Sequence, residues 1–510
     1  RKSKPKRCRT FGTFLSKRGE GISLREILRD LVKMAALNKD VEFKDYQRRA
    51  INKIRNRGSL LVAHGTGTGK TITGIGGFEL LKQDGKASKA LVVVPASLRT
   101  NFSEHGVKKF TNSSYQVIDN GNQEVDPEAD YLIVSSTLFA KNPLKYVKGR
   151  DTIIVDEAHN ARNANSQLSK ALEEHAPKFK NRIALTASPF NNRPADLAPL
   201  INFVKGQRAY DPSRFDSKYI REHKKRMGFL GLGGKGVSKE VFVPDAKLKA
   251  DLRQLVDYER GEEGLPSITE ETVRVPMTKE QRKAYRYVWG QLPPHVRRAV
   301  KADILPSKRD AAHFFAAIAN ARVASNNPAS ILEKYKDRDD GYLLSGKALQ
   351  VLRDAEPQTM LYSNYNEHGA EIARRALESQ GRRIAQITGK MNRKQKDAEV
   401  EAFKSGDKEI FITTPTGKEG ISLPNVRKEI ILDPHWNPEV TRQAVGRGVR
   451  ADSFADHINV RHYVAVDPDK RLFGFIGRKP KPSVEEWILS VANRKKDLQQ
   501  QVLSYMGGEW

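Results

Sequence analysis

Residues 63–71 read Ala-His-Gly-Thr-Gly-Thr-Gly-Lys-Thr, between the apolar run Leu60-Leu61-Val62 and a helix-compatible stretch. Glycines after a strand let backbone N–H groups converge on phosphate oxygens, so Gly65, Thr66, Gly67, Thr68 and Gly69 predict a cradle for a nucleoside triphosphate. Lys70 would reach the β and γ oxygens and the Thr71 hydroxyl would hold Mg²⁺. The general pattern has glycine six positions before the lysine; here that position is His64, so the loop reads as a variant. A Gly-Lys-Thr alone is also an ordinary turn at a helix start. A second group, Asp156-Glu157-Ala158-His159, follows the apolar run Thr152-Ile153-Ile154-Val155. At the carboxyl end of a parallel strand Asp156 can hold the metal through water, and Glu157 can orient and deprotonate the water that attacks the γ-phosphate. The third group is Gln443-Ala444-Val445-Gly446-Arg447-Gly448-Val449-Arg450. Arg447 and Arg450, three apart, project from one helical face towards a multiply charged oxygen cluster, as an arginine finger supplied in cis. Removing such a finger costs about three orders of magnitude in turnover. The bland alternative is a solvated basic helix, which leaves Gln443 and Gly446 unexplained.

Two sets of strands must position these groups. Short apolar runs at Leu60-Ala63, Leu91-Val94, Tyr131-Val134, Thr152-Val155 and Ile183-Leu185 alternate with helix-compatible stretches. The rhythm returns at Thr359-Tyr362, Ile384-Ile387, Glu409-Ile412, Glu429-Leu432 and His462-Val466. Near-continuous apolar strands between helices predict parallel sheets covered on both faces, hence two α/β lobes. Between them, 205–345 is charged and reads as mostly helical, without strand rhythm. It carries a glycine-rich patch, 228–236, expected to be a loop or hairpin tip rather than a second phosphate site. The expected organisation is a basic arm and lead-in helix (1–40), a nucleotide-binding lobe (41–204), a helical insertion (205–345), a second lobe (346–470) and a C-terminal helical segment (471–510) that packs back on a lobe.

Lys and Arg number 90 against 61 Asp and Glu, a net charge of +29. A charge that far from zero attracts polyanions, with nucleic acid as the expected partner. The first 18 residues carry Arg1, Lys2, Lys4, Lys6, Arg7, Arg9, Lys17 and Arg18 and no acid. Nucleic-acid contact, a targeting signal and a plain solvated tail all fit that arm. Cys8 is the one cysteine, which excludes an internal disulfide and a cysteine-based metal cluster. No apolar run approaches a membrane span, and there is no membrane partner to expect; a soluble, intracellular protein is predicted.

Taken in order, these groups resemble the superfamily 2 helicase-like ATPases and, in detail, the Swi/Snf-type DNA translocases. Phe43-Lys44-Asp45-Tyr46-Gln47 is similar to their adenine-reading segment, Val93 to Arg99 to their first nucleic-acid motif, and Ile133 to Thr137 to the next. Leu185-Thr186-Ala187-Ser188-Pro189, with Asn191-Asn192 and Leu200 to Phe203 after it, is similar to the coupling motif. Val275 to Thr278 with Gln281 and Tyr285 resembles the bridge into the second half, and Thr414 to Leu423 and Asp433-Pro434-His435-Trp436-Asn437-Pro438 complete the pattern, which spans about 43–466. The Trp-Asn-Pro and Asn-Asn segments place the resemblance in the Swi/Snf branch rather than among DEAH-box RNA helicases. Ala451 to Phe454 and Arg461 to Val464 are similar to the compact forms in poxviruses, other large DNA viruses and phages, some of them nucleoside triphosphatases of viral transcription.

The resemblance implies two RecA-like P-loop NTPase lobes with a helical insertion between them, ATP and Mg²⁺ as cofactors, and a monomeric motor tracking on double-stranded DNA. It implies Tyr46 and Gln47 at the base, coupling through His159, Thr186 and Ser188, and nucleic-acid contacts at Pro95, Arg99, Ser135, Ser363, Thr388, Thr414 and Gly420. An RNA or RNA–DNA helicase in transcription and a virion-packaged nucleic-acid-binding protein are the rival readings. Host cytoplasm or nucleus, or a virion, is the implied location, with transcription or virion proteins as company.

Overall fold

The computed structural model describes residues 37, 41–65, 67–190, 193–226, 235–261, 265–303, 311–335, 340–415, 423–449, 453–467 and 482–507, with backbone alone for 224–226, 235–238, 311–313, 317 and 393. The basic arm, Thr66, Asn191-Asn192, most of the glycine-rich patch, Gly420 and Arg450 lie outside the described residues.

The first sheet holds seven strands: β1 (Ser59–His64), β2 (Ala90–Val94), β3 (Tyr115–Val117), β4 (Tyr131–Ser135), β5 (Thr152–Val155), β6 (Asn181–Thr186) and, from further along the chain, β9 (Val256–Glu259). Their order is β3-β4-β2-β5-β6-β1-β9, and every pair is parallel. Alternation along β1 divides its side chains between two cores, Leu61 and Ala63 on one face and Leu60 and Val62 on the other. That is why the run reads as apolar throughout: both faces are covered. Helices α1 (Asp45–Arg57) and α2 (Lys70–Gln83) pack on the Leu60 face, and α3 (Leu197–Lys205) on the other.

The second sheet holds β10 (Ser267–Pro276), β11 (Thr359–Tyr362), β12 (Ile384–Gln386), β13 (Ile410–Thr413), β14 (Lys428–Ile431) and β15 (His457–Val466), in the order β10-β15-β14-β11-β13-β12, again all parallel. The ten apolar runs read from the sequence are all strands of these two sheets.

The region between the lobes departs from the expectation of helices without strands. Besides helices that include α4 (Lys279–Gln291), α5 (Pro294–Ala302) and α6 (Ala311–Asn326), its described residues contain four strands. β7 (Ile220–Arg226) and β8 (Lys235–Phe242) form an antiparallel hairpin flanking the glycine-rich patch, as a hairpin tip requires. β9 extends the first sheet beside β1, and β10 forms the edge of the second beside β15. Both are edge strands interspersed with polar residues, Asp257 and Glu259 in β9 and Thr269 to Thr272 in β10, so they lack the apolar run that marks the inner strands.

α4, α5 and α6 share a core with Val484, Trp487, Ile488 and Val491 of the C-terminal helix α9 (Val484–Ser504), against which Trp436 of the second lobe packs. The far half of α9, with Leu498 and Val502, enters the first lobe's core instead. Among the described residues no helix is long and apolar enough to cross a membrane.

Candidate functional site

Three neighbouring strands, β5, β6 and β1, end side by side, and their carboxyl ends carry the three groups of reactive residues: Asp156-Glu157 after β5, Thr186 to Ser188 after β6, and the glycine loop after β1. Parallel order is what brings residues some 90 positions apart to one rim.

Gly67 and Gly69 have φ of 77° and 73°, a left-handed conformation that turns successive N–H groups inward. Gly69 also caps α2, whose N-terminus adds its dipole to the cradle. The Thr68 hydroxyl and the Lys70 ammonium both donate to the Gly65 carbonyl, at 2.8 and 2.9 Å. Burial pushes the Lys70 ammonium below its ordinary range; Glu157 and Asp156 oppose that shift, and Arg442 adds to it. From α1, Gln47 Nε2 and the Tyr46 hydroxyl both donate to the Thr68 carbonyl, at 2.8 and 3.2 Å, so these two residues hold the loop.

Asp156 is buried, and desolvation together with the adjacent Glu157 raises it to about 6. Its Oδ1 accepts the Glu157 N–H at 2.9 Å. Glu157 has a φ of 48°, left-handed for a residue that is not glycine, a strain typical of residues whose placement matters more than their comfort. Burial would raise its carboxyl, but His159 and Lys70 outweigh burial and hold it below the ordinary value, as a carboxylate. His159 Nδ1 lies 3.0 Å from Glu157 Oε2 and 3.4 Å from Thr186 Oγ1. Thr186 Oγ1 donates to the Ser188 carbonyl at 3.1 Å and accepts the Ser188 N–H at 3.2 Å. Glu157, His159, Thr186 and Ser188 therefore form one continuous polar chain.

Helix α8 (Pro438–Val445) of the second lobe reaches that chain through Arg442, whose Nη2 donates to Ser188 Oγ at 2.6 Å. The sequence analysis did not single out Arg442; the available signal was Glu439 three residues before it, a spacing that pairs the two on one helix face. Gln443 is exposed. Arg447 differs from expectation. Its guanidinium is only 5% exposed and donates from Nη1 to Thr413 Oγ1 at 2.9 Å, beside Tyr362 and the buried Glu429. It is a strut inside the second lobe here, because a buried carboxyl and hydroxyl attract it more than an open cleft does.

The expected nucleic-acid contacts divide. Pro95 starts the turn after β2 with its carbonyl accepting the Leu98 N–H, Arg99 pairs with Asp119 at 3.2 Å, and Thr388 is half-buried after β12. Ser135, Ser363 and Thr414 are buried. Ser135 caps a helix by accepting the Leu138 N–H, and Ser363 donates to Asp433 Oδ1 at 2.6 Å, so these side chains shape the rim rather than face a ligand. Asp433 also accepts from Asn326 and Asn364, which ties the Trp436 segment to α6 and β11. Arg322 of α6 lies between the Tyr365 and Trp436 rings, 4.9 and 5.0 Å from their centroids.

No group of three potential ligands for a metal occurs among the described residues. Thr71 and Asp156 fit a Mg²⁺ ion of the kind that takes most of its ligands from phosphate and water.

The family description SNF2-related domain matches residues 46–330, and Helicase conserved C-terminal domain matches 343–452. A protein of Acanthamoeba polyphaga mimivirus, provisionally described as an ATP-dependent RNA helicase, is 23% identical over 89% of this chain and 94% of its own length. Protein Chromatin Remodeling 5 of Arabidopsis thaliana is 22% identical over 91% of this chain but only 27% of its own length. The Sulfolobus solfataricus SWI2/SNF2 ATPase core in complex with dsDNA aligns over 91% of this chain and 97% of that one, at 20% identity and a TM-score of 0.39. With more than half of its length matched by the first description and two parallel α/β lobes carrying the phosphate loop and the Asp-Glu pair, this chain belongs to the SNF2-related, superfamily 2 helicase-like ATPases and is an ATP-hydrolysing enzyme.

Proposed function

We propose that the enzyme is a translocase that hydrolyses ATP in the cleft between its lobes and moves along double-stranded DNA. The observation that carries this reading is the polar chain from Glu157 through His159, Thr186 and Ser188 to Arg442, because it joins the hydrolytic residues of one lobe to the surface of the other. In this mechanism the N–H groups around Gly67 and Gly69 and the Lys70 ammonium hold the β and γ oxygens, while Tyr46 and Gln47 flank the base. Lys70 first leaves the Gly65 carbonyl, a neutral partner that a phosphate oxygen outbids. Glu157 takes a proton from water as its oxygen bonds to the γ-phosphorus and the bond to the β–γ bridging oxygen breaks, leaving ADP and phosphate. Mg²⁺, held by Thr71 and through water by Asp156, would neutralise charge on the phosphates. Arg450 would act on the same charge, and Arg447 would join it only if the second lobe rearranges around Thr413.

Support for nucleic acid as the track comes from the net charge of +29 and from family membership. Double-stranded DNA follows from the Swi/Snf character of the Trp436-Asn437-Pro438 segment and from relatives named for chromatin remodelling. An RNA track is the second reading, favoured by the description of the mimivirus relatives. ATPase rates at fixed salt with duplex DNA, single-stranded DNA and RNA separate the two, and triplex displacement without unwinding identifies translocation. Stimulation by RNA alone would overturn the DNA reading. An unchanged rate in Glu157→Gln would overturn the assignment of the base.

A further inference from the structure

We propose that Gly106 is a positioning residue for Thr71, the contact through which nucleic acid held at Pro95 to Arg99 tightens the grip on nucleotide. The inference rests on the nucleic-acid reading above and adds to it a route from the track to the phosphate loop.

The segment after β2 is a helix with an insertion. Ala96–Leu98 forms a tight turn, Arg99–Phe102 an α turn and Ser103–Val107 a π turn, before Lys108–Phe110 closes it. The Lys108 N–H bonds to the Ser103 carbonyl five residues back, so the turn holds one residue more than an α turn. Gly106 is thereby set against α2. A Cβ on Gly106 would lie 3.0 Å from Ile75 Cδ1 and 3.4 Å from Thr71 Cγ2, so its bare backbone sits on the first two turns of the helix that starts at the phosphate loop. The Thr71 methyl and hydroxyl branch from one carbon, and a stop behind the methyl fixes where the hydroxyl points.

The same arrangement recurs in the second lobe. Read from β12, the second sheet runs β12-β13-β11-β14-β15-β10, the order of the first with β10 to β15 in the places of β1 to β6. The crossover from β11 to β12 therefore answers to that from β2 to β3. It too contains a π turn, Asn366–Ala370, ahead of helix α7 (Glu371–Glu378). Both turns carry Glu-His-Gly at the same places, 104–106 and 367–369. Gly369 is again buried against a residue of the candidate site: a Cβ there would lie 2.0 Å from Ser363 Oγ and 3.4 Å from Asp433 Oδ1. Well under about 1% of residues are π-helical. A rare turn, its tripeptide and its glycine contact, repeated at equivalent places, mark a working part rather than an accident of packing.

The two ends of the first segment define what it transmits. Pro95 to Arg99 stand at the carboxyl end of β2, with Arg99 tied to Asp119 at 3.2 Å, and Gly106 stands at Thr71. Phe102 and Val107 lie in one core with Ile75, so the segment moves as a unit against α2. Nucleic acid that holds the first end presses Gly106 on the Thr71 methyl, which keeps the hydroxyl aimed at the metal side of the phosphates. Nucleotide then binds more tightly, and by linkage it tightens nucleic acid by the same factor.

The test compares full-length wild type, Thr71→Ser, Ile75→Val and a deletion of the exposed His105 for MgADP binding by fluorescence titration, without polynucleotide and with saturating duplex DNA or RNA of equal length. The quantity read is the ratio of the two dissociation constants, in which any direct effect of a variant on nucleotide cancels. Wild type should bind MgADP about tenfold more tightly with the polynucleotide that stimulates its ATPase. Thr71→Ser keeps the hydroxyl and removes Cγ2, whereas Ile75→Val removes Cδ1 from the same contact. The ratio should fall to within twofold of one in Thr71→Ser and stay within twofold of wild type in Ile75→Val. Deleting His105 should close the π turn to an α turn, rotate Gly106 by about 100° and lose the coupling as well; Thr71→Ser decides the matter if that chain does not fold. Equal losses in Thr71→Ser and Ile75→Val would reduce Gly106 to packing and overturn the role, as would a wild-type ratio retained in Thr71→Ser. A wild-type ratio of one beside a stimulated ATPase sinks this inference alone. No stimulation by DNA or by RNA sinks the nucleic-acid reading and the inference with it.

Discussion

Position 64 has glycine in the general phosphate-loop pattern and histidine here, and the structure gives that histidine a partner. His64 Nε2 lies 2.8 Å from Asp257 Oδ1, both groups fully buried, and Arg49 and Lys53 of α1 close on the same carboxylate at 3.0 and 2.8 Å. Burial alone would raise the Asp257 carboxyl; His64, Arg49 and Lys53 together drive it far below the usual carboxylate range. The sequence shows His64 as a departure and no more, because its partner is 193 residues away in a strand without an apolar signature. Asp257→Asn should cost about 1–3 kcal/mol, because the fully buried carboxylate that His64 and the part-exposed Arg49 and Lys53 share loses its charge, read as a lower urea midpoint at unchanged slope. An unchanged midpoint would mean that the cluster contributes nothing net. His435 sets a second expectation. Burial, with Arg322 nearby, lowers its imidazole to about 4, and Nδ1 accepts the Asn437 N–H at 3.0 Å. Between its ordinary 6.5 and about 4 the unfolded chain holds more protons than the folded one, so stability is fully present at pH 7 and declines as pH falls through that window. The loss is about 3 kcal/mol at most. Thermal melts from pH 7 to 4 should show a steeper decline for wild type than for His435→Asn; parallel curves would remove the histidine as the cause.

At the scale of elements, the inner strands and the motifs at their ends were legible, whereas β9 and β10 were not. Asp156-Glu157 and Thr186 to Ser188 are contiguous residues directly after apolar runs, so their placement needs only strand direction and order. β9 is four residues, Val-Asp-Tyr-Glu, at a sheet edge, and its local pattern is indistinguishable from a charged linker. Yet it braces the phosphate loop. The Glu259 carbonyl accepts the Gly65 N–H at 2.8 Å, and a Cβ on Gly65 would lie 2.2 Å from the Arg260 carbonyl oxygen. Gly65 is thus required by the backbone crossing behind it as much as by phosphate in front. Gly65→Ala should therefore push β9 from β1, lowering stability by about 1–3 kcal/mol and weakening ATP together with ADP. Calorimetry with both nucleotides checks this. Weaker nucleotide binding at an unchanged melting temperature would point to the phosphate face alone. β9 leads on to β10 in the other lobe, so the connector between the lobes begins at the back of the loop that holds the phosphates.

Among the described residues, that connector and α9 both join the lobes. A helix of 21 residues is about 30 Å long, enough to cross from one lobe to the other. Its first half is fixed by Trp487 in the core with α4, α5 and α6 and by Glu485, which pairs with Lys347 at 2.6 Å in a fully buried bond that also reaches Asn326. Its second half lies on the first lobe through Leu498 and Val502, where Gln501 accepts the Phe242 N–H at 2.9 Å. The helical spacing of 483–505 announced a packed helix, but one stripe of apolar residues cannot say that its two ends enter different cores. The two ends also differ in strength. Trp487 and the Lys347–Glu485 pair are wholly enclosed, whereas the contact with the first lobe is spread over Leu498, Val502 and Met506 with the partly buried Leu503 and Tyr505 beside them. If the lobes open during turnover, the weaker end yields first. Leu498→Asp with Val502→Asp should detach that end while leaving the Trp487 core folded. The expected result is a larger radius of gyration by small-angle scattering, little change in far-ultraviolet circular dichroism, and a rise in KM for ATP as the lobes close less readily on the nucleotide. Trp487→Ala, by contrast, should cost about 3–5 kcal/mol in global stability. A double aspartate variant with the scattering profile of wild type would show that the connector and the cleft contacts alone hold the lobes, and that α9 follows their movement without limiting it.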